Sequence, residues 1–183
     1  EEKMSKVPNI NWLNAHSFIF KNNKKYYMHN TQRGEKTSFL FHLDNNASHA
    51  EFNNQNNRCA YTIDNNLYVV NTDNKHINLT NEENKNIIFG QAVHRYEFGI
   101  YKGTFWSNNG DQIAFYRKDE SMVTDYPLMN ISSRVGHADI IKYPMAGMPS
   151  HHVLLGVYNF NTNKIIYIDT GEPQEQYLTN ISW

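Results

Sequence analysis

Few residues in this sequence carry side chains that could do chemistry, and they are scattered. The adjacent pair His151-His152, with His94 and His137, raises the question of a metal site, because imidazole is a common ligand. Neighbouring residues of a strand point to opposite faces, so His151 and His152 are poor co-ligands and no metal is expected. Asp119-Glu120 before Ser121 resembles a carboxylate pair for general acid-base work. Its place directly after a strand pattern predicts a loop-ordering hydrogen-bond role instead. Cys59 is the single cysteine, which excludes an intrachain disulfide and any multi-cysteine zinc or iron-sulfur centre. Between Arg58 and Ala60 in an apolar run it reads as a small buried hydrophobe. No Gly-x-Ser-x-Gly turn occurs, and a serine nucleophile would also need Asp and His on a hydrolase sheet. The chain alone is therefore expected to be inert, with no cofactor.

The elements that must position these residues are strands. The chain has 183 residues, enough for one domain with a core; 39% are hydrophobic and 14% aromatic, which argues against disorder. The mean hydropathy of -0.71 reflects an abundance of Asn. Asn makes up about 15% of the residues and sits in pairs between apolar runs, where its tolerance of left-handed backbone suits turns. Four Asn-x-Ser/Thr sequences, beginning at Asn46, Asn78, Asn130 and Asn180, follow from that abundance and do not argue for glycosylation. A formal net charge of -1, with no basic run longer than Lys24-Lys25, argues against nucleic-acid and polybasic membrane binding. No stretch is long and apolar enough for a spanning helix. Glu1-Glu2-Lys3-Met4-Ser5 is neither a signal peptide nor a natural start, so the chain is expected to be a piece of something longer.

Helical periodicity is nearly absent. Short runs rich in Tyr, Phe, Ile and Val recur between Asn, Asp and Gly clusters, and predict strands at 17–20, 25–29, 38–43, 58–63, 67–71, 112–117, 153–160 and 164–169. Lys21-Asn22-Asn23-Lys24, Asp64-Asn65-Asn66 and Asn161-Thr162-Asn163 supply hairpin turns. A repeat appears at a constant offset of 54 residues: Glu51-Phe52-Asn53 with Cys59-Ala60-Tyr61 superposes on Phe105-Trp106-Ser107 with Ile113-Ala114-Phe115. Ile181-Ser182-Trp183 resembles the opening of a further copy. A unit of about 50 residues holding four short strands is the pattern of a β-propeller blade. The expected fold is all-β, a partial β-propeller of about three four-stranded antiparallel blades, with Phe105 and Trp106 as packed aromatics. Residues 87–101 and 118–149 break the repeat, the first with a short inserted helix expected at 93–98. Insertions on a rigid scaffold are where function usually sits.

The run from Val93-His94-Arg95-Tyr96-Glu97-Phe98-Gly99-Ile100 to Phe105-Trp106-Ser107 resembles the N-terminal propeller domain of dipeptidyl peptidase IV-type serine exopeptidases, the subfamily B members of the prolyl oligopeptidase family. So do 113–121, Ile141-Lys142-Tyr143-Pro144-Met145-Ala146-Gly147 and 177–183, most of all in the bacterial branch. The resemblance is good over 50–183 and only rhythmic before that. It implies that 1–183 is a fragment of that propeller domain, without the C-terminal α/β-hydrolase domain that carries the chemistry.

The family's substrates are peptides with a free N-terminus, from which X-Pro or X-Ala dipeptides are released. An acidic pair on a short inserted helix binds the substrate's α-ammonium, and Glu97 falls in that segment. Fixing the ammonium fixes which peptide bond reaches the nucleophile. Where many relatives carry two adjacent acids this chain has Tyr96-Glu97, and Arg95 could itself pair with Glu97. The family's carbonyl-binding Arg is not assignable between Arg33 and Arg58. The resemblance also implies a homodimeric parent in the bacterial periplasm or at the cell surface. The alternative is a non-catalytic propeller that binds a protein or glycan, and the coding sequence after Trp183 would separate the two.

Overall fold

The computed structural model describes residues 8–32 and 36–183, and Arg33 lies outside them. It is built from antiparallel sheets in chain order, two of four strands and one of five, with a separate two-stranded ribbon, all formed from short strands joined by turns that Asn and Asp make possible. The first sheet holds β1 (Ile10–Asn14), β2 (Ser17–Asn22), β3 (Lys25–Asn30) and β4 (Lys36–His42), in that order. The second holds β5 (Ser48–Asn53), β6 (Arg58–Ile63), β7 (Asn66–Val70) and β8 (His76–Asn78), again in sequence order. Asn23, Asp64 and Asn65 take positive φ at 54°, 47° and 67° in the β2–β3 and β6–β7 connections. These are the conformations a two-residue hairpin demands and that most side chains resist.

The chain divides into two compact units, one through Asn81 together with Asn108–Gly110, the other Glu82–Ser107 with Asp111–Trp183. In the first, the two sheets share a core of Ile19, Tyr26, Leu40, Phe41, Cys59, Tyr61 and Val70. Tyr26 stacks on Phe41 with ring centroids 4.8 Å apart. Cys59 is fully buried, as its apolar neighbours suggest, and burial pushes its thiol up to about 12.

The second unit contains the third sheet: β10 (Thr104–Trp106), β11 (Gln112–Asp119), β14 (His152–Asn159) and β15 (Lys164–Ile168), with β9 (Ile87–Phe89) also on β11. The offset of 54 residues reappears here as register. Glu51 opposes Ala60 and Phe52 opposes Cys59 in one hairpin, while Phe105 opposes Ala114 and Trp106 opposes Ile113 in the other. Trp106 is packed, its ring stacked on Phe160 at 5.7 Å. Three sheets of this kind, with no α-helix among the described residues, are the expected partial propeller.

Two departures bear on the site. The segment expected to hold a short helix forms only a single 3-10 turn, His94–Tyr96, because left-handed residues interrupt it. Residues 181–183 form no strand; Leu178 and Ile181 instead pack on the core of the second unit, around Val93, Ile100, Tyr116 and Val153. The long insertion after β11 becomes a two-stranded ribbon, β12 (Asp125–Asn130) against β13 (His137–Lys142).

Candidate functional site

The segment bearing Glu97 is an excursion from a strand. β9 and β10 lie on the same edge of β11, β9 opposite 117–119 and β10 opposite 113–115, so residues 90–103 leave the edge and return to it. Tyr116 closes the neck. Its carbonyl accepts from the Gly90 amide at 2.9 Å, and its own amide donates to the Gly103 carbonyl at 3.0 Å. The two arms are pressed so closely that a Cβ on Gly103 would overlap the Gln91 backbone. Gly103 is therefore required by contact distance.

Beyond the neck, Val93 and Ile100 plug the core with 0% and 6% of their surface exposed. Full burial of such a side chain stabilises by about 1.5–3 kcal/mol. Between these plugs the backbone is unusual: His94, Tyr96 and Phe98 have φ of 52°, 63° and 56°, and Gly99 of 73°. Each non-glycine residue there costs about 1–2 kcal/mol. Hydrogen bonds offset part of that cost, with the Glu97 amide donating to the His94 carbonyl at 3.0 Å and the Ile100 amide to the Glu97 carbonyl at 3.1 Å. Glu97 is thus held through both its backbone groups while its side chain is exposed, flanked by the exposed rings of Tyr96 and Phe98.

Beneath the turn lies a histidine pair absent from any linear pattern. His94 Nδ1 is 3.3 Å from His151 Nε2, and both residues are buried. The Leu178 amide donates to His94 Nε2 at 3.3 Å. An amide can only donate, so Nε2 is the bare nitrogen, the His94 proton sits on Nδ1, and His151 Nε2 accepts it. Burial, then His151 and Lys118, push the His94 pKa down to about 4, against a smaller opposite pull from Glu97. The Tyr116 hydroxyl donates to the Leu178 carbonyl at 2.8 Å, so both backbone groups of Leu178 are held by side chains. The Tyr177 ring lies 4.7 Å from His94 and 4.8 Å from Phe98.

The other residues singled out by sequence fall elsewhere. Asp119 accepts from the Ser121 amide at 2.9 Å, and Glu120 pairs with Lys118 at 2.8 Å. Burial opposes ionisation of Asp119, but the Ser121 hydrogen bonds, Arg117 and His152 together hold its pKa below the usual value. This is loop ordering. His137 pairs with Asp139 on the exposed ribbon at 3.3 Å, remote in sequence and element from the His94 pair. Among the described residues no group of three or more His, Cys, Asp or Glu could hold a metal ion. Arg58 is half-buried in β6, its guanidinium donating to the Gly110 carbonyl at 3.4 Å.

The family described as the dipeptidyl peptidase IV N-terminal region matches residues 14–183. The chain belongs to this family. A solved structure of a candidate dipeptidyl aminopeptidase IV from Bacteroides ovatus is similar at 46% identity and a TM-score of 0.80, over 94% of this chain and 23% of that one. Porphyromonas gingivalis dipeptidyl peptidase 4 shares the fold, with 22% identity and a TM-score of 0.68 over 92% of this chain and 24% of its own. A probable dipeptidyl-aminopeptidase B from Phaeosphaeria nodorum is 29% identical over 154 residues, 74% of this chain and 17% of the relative. The chain thus spans less than a quarter of the length of these relatives. Within this dipeptidyl peptidase IV region, the excursion carrying Glu97 and the ribbon β12–β13 are the two departures from regular blade hairpins in the second unit.

Proposed function

We propose that this chain is the substrate-gating, N-terminus-binding portion of a dipeptidyl peptidase IV-like serine peptidase that releases X-Pro or X-Ala dipeptides. The bond-breaking chemistry is assigned to a C-terminal α/β-hydrolase domain of the parent chain. Glu97 binds the peptide's α-ammonium. The observation that carries this reading is a carboxylate presented on a backbone-clamped, left-handed turn between two exposed aromatic rings, in a chain of this family. A carboxylate and an ammonium 4 Å apart attract by about 1 kcal/mol in bulk water, and by about 4 kcal/mol where the effective dielectric falls near 20. Covering the pair with the rest of the peptide is what makes one exposed acid sufficient.

The ribbon supports a second part of the reading, a homodimeric parent. Met129, Ile131, Val135 and Ile140 are each more than half exposed on a two-stranded element that buries little of itself. An isolated ribbon of this kind is marginal in water, and exposed apolar side chains on it and on its connecting loop fit association with a second copy. The bacterial periplasm or cell surface is the compartment this family membership favours.

The test of the central role is Glu97→Gln in the full-length enzyme. A loss of about 2 kcal/mol of transition-state stabilisation, a roughly thirtyfold fall in kcat/KM for dipeptide release, is expected. An unchanged kcat/KM removes Glu97 from the role.

A further inference from the structure

The turn that presents Glu97 has an anchor with no part in ammonium binding itself. Three of its non-glycine residues hold positive φ, a conformation that persists only where surrounding structure imposes it. The His94 ring is buried and fixed at both nitrogens, by the His151 ring on one side and the Leu178 amide on the other. Its carbonyl accepts from the Glu97 amide at 3.0 Å, so any tilt of His94 passes directly to the Glu97 backbone. Tyr177 lies against both His94 and Phe98, which bracket Glu97 in sequence.

We infer that His94, locked in one tautomer between His151 and the Leu178 amide, is the positioning residue that aims the Glu97 carboxylate at the substrate's ammonium. The inference rests on the assignment of Glu97 to that ammonium. The lock works because each hydrogen bond has one direction: Leu178 N–H into Nε2, and Nδ1–H into His151. A ring rotation or an added proton would set donor against donor at one of these contacts. The groups around the ring from each neighbouring element are Lys118 on β11, Lys142 at the end of β13, His151 before β14, and Glu175 and Tyr177 in the final segment, with Glu120 and Glu97 nearby. Lys118 is paired with Glu120 and Lys142 with Asp125, at 2.8 and 2.9 Å.

A double-mutant cycle in the full-length peptidase tests this, with kcat/KM for dipeptide release measured for His94→Phe, Glu97→Gln and the pair. Phe keeps a planar aromatic ring, somewhat larger than imidazole, and loses both hydrogen bonds. His94→Phe is expected to lower kcat/KM about tenfold, chiefly through KM, and to add little to Glu97→Gln, because a positioning residue has no effect once its carboxylate is gone. His94→Gln, whose amide can still accept from Leu178, restores part of the loss. Wild-type kcat/KM in His94→Phe, or full additivity in the double variant, overturns the inference. Should His94→Phe fail to fold, His151→Phe in the same cycle decides by the same coupling or its absence. A neutral Glu97→Gln defeats the ammonium reading and this inference with it, whereas a damaged Glu97→Gln beside a neutral His94→Phe defeats only the positioning role.

Discussion

The proton on the His94 ring links the site to stability. The folded pKa is pushed down to about 4 from an ordinary 6.5, so between these values the unfolded chain binds a proton that the folded chain refuses. Stability therefore rises with pH across that interval, and falls as pH drops from 6.5 toward 4. In thermal unfolding, the Tm of the protein is expected to decline over this range, and His94→Phe to flatten that slope while lowering the Tm at neutral pH. An identical slope in the variant would mean that another group carries the dependence. Little of this is legible in the sequence. The strand alternation invoked for His151 and His152 does not apply to them, because β14 begins at His152 and His151 precedes it. The partner that matters is His94, 57 positions earlier. Glu97 is legible only through the surrounding motif, since an exposed acid has no signature of its own.

For the elements, periodicity and turn chemistry are both local, and what they encode is readable. The strand expected at 58–63 is β6 to the residue, and the offset of 54 becomes identical cross-strand register in two hairpins. Elements of three residues, such as β8, β9 and β10, are too short to show alternation and form only because a longer strand offers an edge. The excursion neck is such a tertiary feature, and Gly103 is its most sensitive point. Gly103→Ala must push the Gln91 backbone away, and overpacking against backbone costs about 2 kcal/mol or more. A Tm fall of about 4–8 °C is expected for a chain of this size, together with a weakened KM for peptide substrate. A variant that melts with the wild type would show that the neck yields without cost.

At the scale of the whole molecule, a blade-built gate, a separate catalytic domain and a second copy each have a place in the proposed enzyme. Replacing Met129 and Ile140 together by Asp, on one face of the ribbon, puts charge into the apolar surface without touching the Glu97 turn. The full-length protein is expected to shift from dimer to monomer in light scattering; an unaltered mass would place the interface elsewhere. In the proposed role, one carboxylate recognises a positive charge at the peptide's amino end. The most direct measurement compares kcat/KM for a peptide bearing its α-ammonium with that for the same peptide lacking the amino group, in wild type and in Glu97→Gln. Wild type is expected to prefer the charged peptide strongly, and that preference to fall by about thirtyfold in the variant. A preference that survives Glu97→Gln intact would contradict it.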